Sequence, residues 1–197
     1  AERLAIELAK RTRFLRDQVV AEELRDEASG GGDLSGFFEA FQKYLIAGLT
    51  HEQFADLYSQ TITYGLFAAR TRAEGGFNRK LAFDYIPPTI GILRDVFKFI
   101  SWGNLSPQME VIVDDITAVL NAADINSILD QYYKEGKGED PIIHFYETFL
   151  NAYDPETRER RGVYYTPEPV VKYIVRSVHK LLKEKFGLRD GLADPSV

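Results

Sequence analysis

Apolar residues in this 197-residue chain return every three to four positions, segment after segment. Nowhere do they alternate at period two for long enough to make a sheet. A 3.6-residue repeat stacks side chains on one face of a helix but scatters them over both faces of a strand. The chain is therefore confined to an all-α architecture, and the remaining question is where each helix starts and stops.

The spacing predicts a long charged helix over 2–28 with a narrow stripe of Leu4, Leu8, Leu15, Val19 and Leu24, leaning on a partner along one side. Ser29-Gly30-Gly31-Gly32-Asp33 breaks it. Phe37, Phe38, Phe41, Tyr44 and Leu45 are spaced for a short buried helix stopped by Gly48. Thr50 and Gln53 have capping-box spacing, and the helix they open runs to about residue 72. Its inward face is Phe54, Leu57, Tyr58, Thr61, Tyr64, Gly65 and Ala68, with Gly65 admitting close helix approach.

Pro87-Pro88 opens another helix, buried through Leu93, Val96, Phe97 and Ile100. Ser106-Pro107 supplies an N-cap and a proline at N1 ahead of Met109, Ile112, Val113, Ile116 and Leu120. Asp124 caps a helix carrying Ile128, Leu129 and Tyr132. Asp140-Pro141 caps one carrying Ile143, Tyr146, Phe149, Leu150 and Tyr153. The last helix, about 168–186, has an inner face of Val171, Ile174, Val175, Val178 and Leu182, and Lys183, Lys185 and Gly187 make a favourable C-terminus.

Composition bounds what such a chain can do. Hydrophobic residues make up 45% and aromatics 13%, enough for a core, and no apolar run approaches a membrane span. Cysteine is absent, which removes disulfides, thiolate metal sites and cysteine nucleophiles together and suits a reducing, cytoplasmic setting. The net charge of −6 argues against a general nucleic-acid binder, but it is uneven. Residues 158–189 hold nine Lys/Arg against three Asp/Glu, whereas residues 1–157 hold fifteen against twenty-five. The basic stretch suits nucleic acid, an acidic domain, or simply a solvated helix face.

Most chemistry is excluded. His51, His144 and His179 stand at no metal-ligand spacing and read as caps, surface or packing residues. Glu135-Gly136-Lys137 has the Glu-x-Lys form of restriction nucleases but no metal-binding carboxylate partner. No phosphate-binding Gly-x-x-x-x-Gly-Lys-Ser/Thr loop exists. Asp114-Asp115 lies mid-helix, exposed. No residue reads as catalytic and none as a metal ligand.

One stretch reads as chemistry: Gly162-Val163-Tyr164-Tyr165-Thr166-Pro167, followed by Glu168. Gly162 permits positive φ. Tyr164 and Tyr165 are flat rings with a polar tip, suited to stacking and edge hydrogen bonds. Thr166 before Pro167 reads as a helix start, although Pro169 biases Glu168 away from helix and moves the first turn a residue or two later. Pro167 and Pro169 lack N–H donors, so the Thr166 hydroxyl matters more. Glu168 suits an ammonium. A ligand bearing an amino-acid moiety fits this set.

Together with Val170-Val171 and the helix behind them, these residues resemble the cofactor motif Gly-x-Tyr/Phe-Tyr/Phe-Thr-Pro of the amino-adenine DNA methyltransferases of restriction–modification systems. Asp140-Pro141-Ile142-Ile143-His144-Phe145-Tyr146-Glu147-Thr148-Phe149-Leu150 resembles the helix leading into that motif. His51-Glu52-Gln53-Phe54-Ala55-Asp56-Leu57-Tyr58 and Tyr64-Gly65-Leu66-Phe67-Ala68-Ala69-Arg70 resemble the helical spacer of large fused restriction–modification polypeptides.

The resemblance implies methyl transfer from S-adenosylmethionine to adenine N6 in double-stranded DNA. Gly162, Val163, Tyr164, Tyr165, Thr166, Pro167 and Glu168 would lie at the cofactor. It also implies a connecting helix at 1–28, a spacer or coupling domain at 34–157, and the start of a methyltransferase domain at 158–197. The fold is then an irregular multi-helix bundle ending in the first helical segment of an α/β methyltransferase domain.

The family's Asp-Pro-x-x-Gly-x-Gly-x-Phe turn and Asn/Asp-Pro-Pro-Tyr/Phe element are absent, so catalysis is expected in a domain downstream and an upstream nuclease or motor domain is a further expected partner. By itself, the segment is expected to be inactive. The alternative is a non-catalytic helical coupling or interaction module linking neighbouring domains.

Overall fold

The structure is a computed structural model, which describes residues 1–27, 33–86, 91–135, 141–156, 166 and 168–197. All regular elements among the described residues are helical, and none is a strand. No described helix is long and apolar enough to cross a membrane. The chain divides into two compact units, Ala1–Pro155 and Glu156–Val197.

The first unit opens with α1 (Glu2–Phe14), which continues through a π-helical segment (Leu15–Val20) into α2 (Ala21–Glu27). The expected stripe is buried in full, and Ala5, Ala9, Thr12 and Val20 join it. The helix therefore packs on a broader face than leucine spacing alone indicates. Alanines count as surface-neutral in a periodicity reading but let α1 approach α4 (His51–Arg70), α7 (Pro107–Ala122) and α9 (Pro141–Tyr153) closely. Inside this contact the Thr12 and Thr63 hydroxyls pair at 2.8 Å, which satisfies two buried polar groups against each other.

α4 is the centre of this unit. Thr50 caps it with both bonds of the capping box, Gln53 N–H to Thr50 Oγ1 and Thr50 N–H to Gln53 Oε1. Its inward face is not the narrow one anticipated. Phe54, Ala55, Tyr58, Ser59, Ile62, Thr63, Gly65, Leu66, Phe67 and Ala69 are all buried, while Leu57, Thr61, Tyr64 and Ala68 are only half-buried. A helix enclosed by several neighbours buries most of its circumference.

Phe97 on α6 (Gly91–Trp102) lies over Gly65, where an added Cβ would meet its ring. The close approach read from the sequence is thus real. Phe67 stacks on Phe145 of α9 with centroids 4.0 Å apart, a contact the expected α9 face, which omits Phe145, does not contain.

α3 (Asp33–Tyr44) buries Leu34 and Phe41 against this core. Tyr44 and Leu45, expected inside, are exposed. The helix ends at Tyr44 and the chain turns through Gly48 at φ 76°, so the stripe outruns the surface it packs on. A short α5 (Arg79–Ala82), capped by Asn78, leads through a 3₁₀ turn (Phe83–Tyr85) towards α6. The buried Arg79 side chain donates to Glu110, to Asp114 at 2.9 Å and to the Ile100 carbonyl at 2.9 Å. Asp114 and Asp115 are exposed as expected, yet each is ion-paired, with Arg79 and Arg11 respectively.

Ser106 caps α7 through Met109 N–H, and Met109, Ile112, Val113, Ile116 and Leu120 are buried. Asp124 caps α8 (Ile125–Glu135) by accepting from Ser127 N–H and Oγ. These two bonds hold its carboxyl below the usual range. Ser29–Gly32, Pro87-Pro88 and Gly136–Asp140, expected as breaks or caps, lie outside the described residues.

The second unit is α10 (Glu168–Phe186) with a tail that folds back on it through a 3₁₀ turn (Gly191–Ala193). Gly187 stops the helix at φ +69°, and Leu188 N–H reaches the Leu182 carbonyl at 3.1 Å. A glycine in the left-handed region just past the last turn is a common helix stop.

Candidate functional site

The candidate segment joins the end of α9 to the start of α10. At the α9 end, Arg13 donates from one guanidinium nitrogen to the carbonyls of Ala152 and Tyr153 at 2.8 and 2.9 Å. Those carbonyls have no partner within the helix, and a cation there also opposes the helix dipole. Tyr153 donates its hydroxyl to Asp56 Oδ1 at 2.6 Å and receives Arg16 at 3.1 Å. Arg16 lies 5.3 Å from the Tyr153 ring centroid and is held from behind by Asp17. Gln60 completes Asp56 through its second oxygen at 2.9 Å. Burial, and then the Asp56 carboxylate, push the Tyr153 phenol far above its ordinary value, so it is a fixed donor and not a proton carrier. This clamp sets the place from which the chain leaves the first unit.

Only the periodicity half of the clamp was readable in the sequence, which puts Tyr153 on the inner face of α9. Arg13, Arg16 and Asp56 are distant in sequence and carry no local signal.

Of the motif residues, Gly162, Val163, Tyr164, Tyr165 and Pro167 lie outside the described residues. Thr166 is exposed. Glu168 is the first residue of α10, so helix begins two residues after Thr166 and includes Glu168 itself; the bias of Pro169 against helix at its predecessor does not prevail there.

α10 has two faces. Val171, Ile174, Val175 and Val178 are 40–51% exposed. Lys172, Arg176, Lys180 and Lys183 occupy the opposite side, and Lys172, Tyr173, Arg176, Ser177 and Lys180 line one shallow depression there. The three histidines take packing and capping roles. His51 meets Phe38 edge-on at 4.4 Å and His144 stacks on Tyr132. His179 Nδ1 accepts from Leu192 N–H at 3.3 Å. No group of three or more metal-ligating side chains occurs among the described residues.

Comparison with known families falls on this region. Residues 137–193 match the N-6 DNA methylase family. The match starts just ahead of α9, takes in Gly162–Glu168 and ends in the tail of α10, covering less than half of the chain. It supports an N-6 DNA methylase-type segment here, and with it DNA as the substrate class of that family. No curated protein and no solved structure matches the chain.

Proposed function

We propose that this chain is the helical spacer and first cofactor-site segment of an adenine-N6 DNA methyltransferase of a restriction–modification system. The observation that carries the reading is the family match over residues 137–193, which brackets Gly162–Pro167. Residues 34–157 would be the spacer and 158–197 the start of the methyltransferase domain.

Gly162, Val163, Tyr164, Tyr165, Thr166, Pro167 and Glu168 would hold S-adenosylmethionine, which supplies the methyl group when bound. Their chemistry fits its amino-acid and nucleoside parts: flat rings for an adenine, a carboxylate for an ammonium, and a hydroxyl for the polar edge. The exposed position of Thr166 leaves that hydroxyl open to a ligand. A Gly-rich acidic turn and an Asn/Asp-Pro-Pro-Tyr/Phe element, needed for chemistry on a flipped adenine, would come from a downstream catalytic domain. The 197 residues alone would then be inactive. A nuclease or motor domain upstream and a cytoplasmic setting belong to the same reading.

A second reading, a helical coupling module that does no chemistry itself, is favoured by the first unit. Its large aromatic core and interlocked ion pairs suit transmission of position between neighbours. The two readings are compatible within one protein. The test is transfer of a labelled methyl group from S-adenosylmethionine to adenine in duplex DNA by the complete gene product. Label appearing at adenine N6 supports the first reading. No transfer, with no cofactor binding by calorimetry, leaves only the second.

A further inference from the structure

α10 divides its surroundings in two. At 100° per residue, Lys172, Arg176, Lys180 and Lys183 fall within about 80° of arc, opposite the exposed Val171, Ile174, Val175 and Val178. Lys172, Arg176 and Lys180 follow each other at four-residue intervals, about 6 Å of rise apart. Glu184 stands 3.7 Å from Lys180 with both side chains largely exposed. Such a pair is worth little and competes weakly with another anion.

We propose that this row binds the phosphate backbone of duplex DNA, a proposal that rests on the methyltransferase reading above. The row from Lys172 to Lys183 extends over about 16 Å of helix, a length along which a duplex presents about ten phosphates. A linear array of cations suits a linear array of anions. Tyr173 and Ser177 stand in the same depression and add hydroxyl donors of the kind that contact phosphate oxygens.

The charge distribution points the same way. Residues 1–157 hold twenty-five Asp/Glu against fifteen Lys/Arg and repel a polyanion, whereas 158–189 attract one. DNA is therefore steered to this stretch. Its role is to position the duplex without reading sequence, since phosphate contacts carry no base information. The apolar face remains for a protein surface, so the two partners do not compete.

The test is binding of a labelled duplex of arbitrary sequence to the chain, by fluorescence anisotropy across about 50–200 mM salt. The chain is expected to bind weakly and to lose affinity steeply with salt. The triple variant Lys172→Gln, Arg176→Gln, Lys180→Gln should lose about 2.7 from the slope of log affinity against log salt, with its helical circular dichroism retained. Lys10→Gln, a surface lysine paired with Glu7 in α1, should change nothing.

A wild-type chain that does not bind the duplex, or a triple variant with an unchanged slope, overturns the proposal. Polyglutamate competing as well as DNA overturns the choice of nucleic acid in favour of an acidic protein. The outcome separates from that of the methyltransferase reading. DNA held by this row in a complete protein that binds no S-adenosylmethionine supports the row and overturns the enzyme. Methylation by the triple variant with unchanged duplex affinity supports the enzyme and overturns the row.

Discussion

Two residues carry opposite kinds of information. Gly65 is fixed by packing: a Cβ there would meet the ring of Phe97 at Cε2 and Cζ, and Phe97 is fully buried. Gly65→Ala gains about 1 kcal/mol of helix propensity, but overpacking costs about 1–3 kcal/mol. The expected net result is a loss of about 0–2 kcal/mol in urea unfolding at unchanged m. A clear gain in stability would mean that α6 yields easily. Thr166, in contrast, is exposed, and under the proposed function its value lies in a ligand. In the complete protein Thr166→Val is expected to weaken S-adenosylmethionine binding by roughly three- to a hundred-fold, the loss of one hydrogen bond at about 0.5–3 kcal/mol. Calorimetry well below the melting temperature reads this with the fold intact. Unchanged affinity would return the motif to a structural turn.

At the scale of elements, α1 and α7 are tied by a surface relay. Lys10 and Arg11 both donate to Glu7 at 2.8 Å, and Arg11 reaches Asp115 of α7 at 2.7 Å. The hydrogen bond from Lys10, then that from Arg11, lowers the Glu7 carboxyl from its ordinary 4.5 to about 2. A carboxyl depressed by folding stabilises the fold in full above its unfolded value and loses that contribution as pH falls towards its folded one. The relay should therefore weaken between about pH 4.5 and 2. Glu7→Gln is expected to flatten the fall of melting temperature across that window and to leave it unchanged in shape above pH 6. An identical profile in the variant would show that solvent screens the group completely.

Helices were legible in the sequence wherever a side-chain cap meets an apolar stripe, as at Thr50, Ser106 and Asp124. Their facing was less so. α4 is enclosed on more sides than one stripe encodes, Phe145 lies outside the stripe assigned to α9, and Tyr44 continues a stripe past the end of its support. The candidate site was legible as a motif because local chemistry marks it. The Arg13–Arg16–Asp56–Tyr153 clamp was not, because it is assembled by tertiary contact across long sequence separations.

For the molecule as a whole, the two units differ in how they could be stable. Residues 1–155 enclose a continuous core in which Phe54, Tyr58, Phe67, Phe97, Phe145 and Phe149 are all fully buried. A chain of that length buries most of the surface its unfolded form exposes. The second unit has one long helix, a short tail and no comparable core: Val171, Ile174, Val175 and Val178 remain exposed, and Gly191 is its only buried residue among those described. A single helix of this length is marginal in water without tertiary packing. The tail adds a contact of glycine economy, Gly191 at φ 58° against His179 with Leu192 N–H on Nδ1, but little apolar burial. Expressed alone, residues 1–155 are expected to unfold in one cooperative urea transition. Residues 156–197 alone are expected to show a broad, non-cooperative loss of helix on heating. Circular dichroism distinguishes the two behaviours directly. A cooperative, sharp transition in the short piece would show that α10 and its tail hold a core of their own, and that the apolar face of α10 is not what stabilises it. A broad transition in the long piece would show that the first unit's aromatic core depends on residues beyond Pro155.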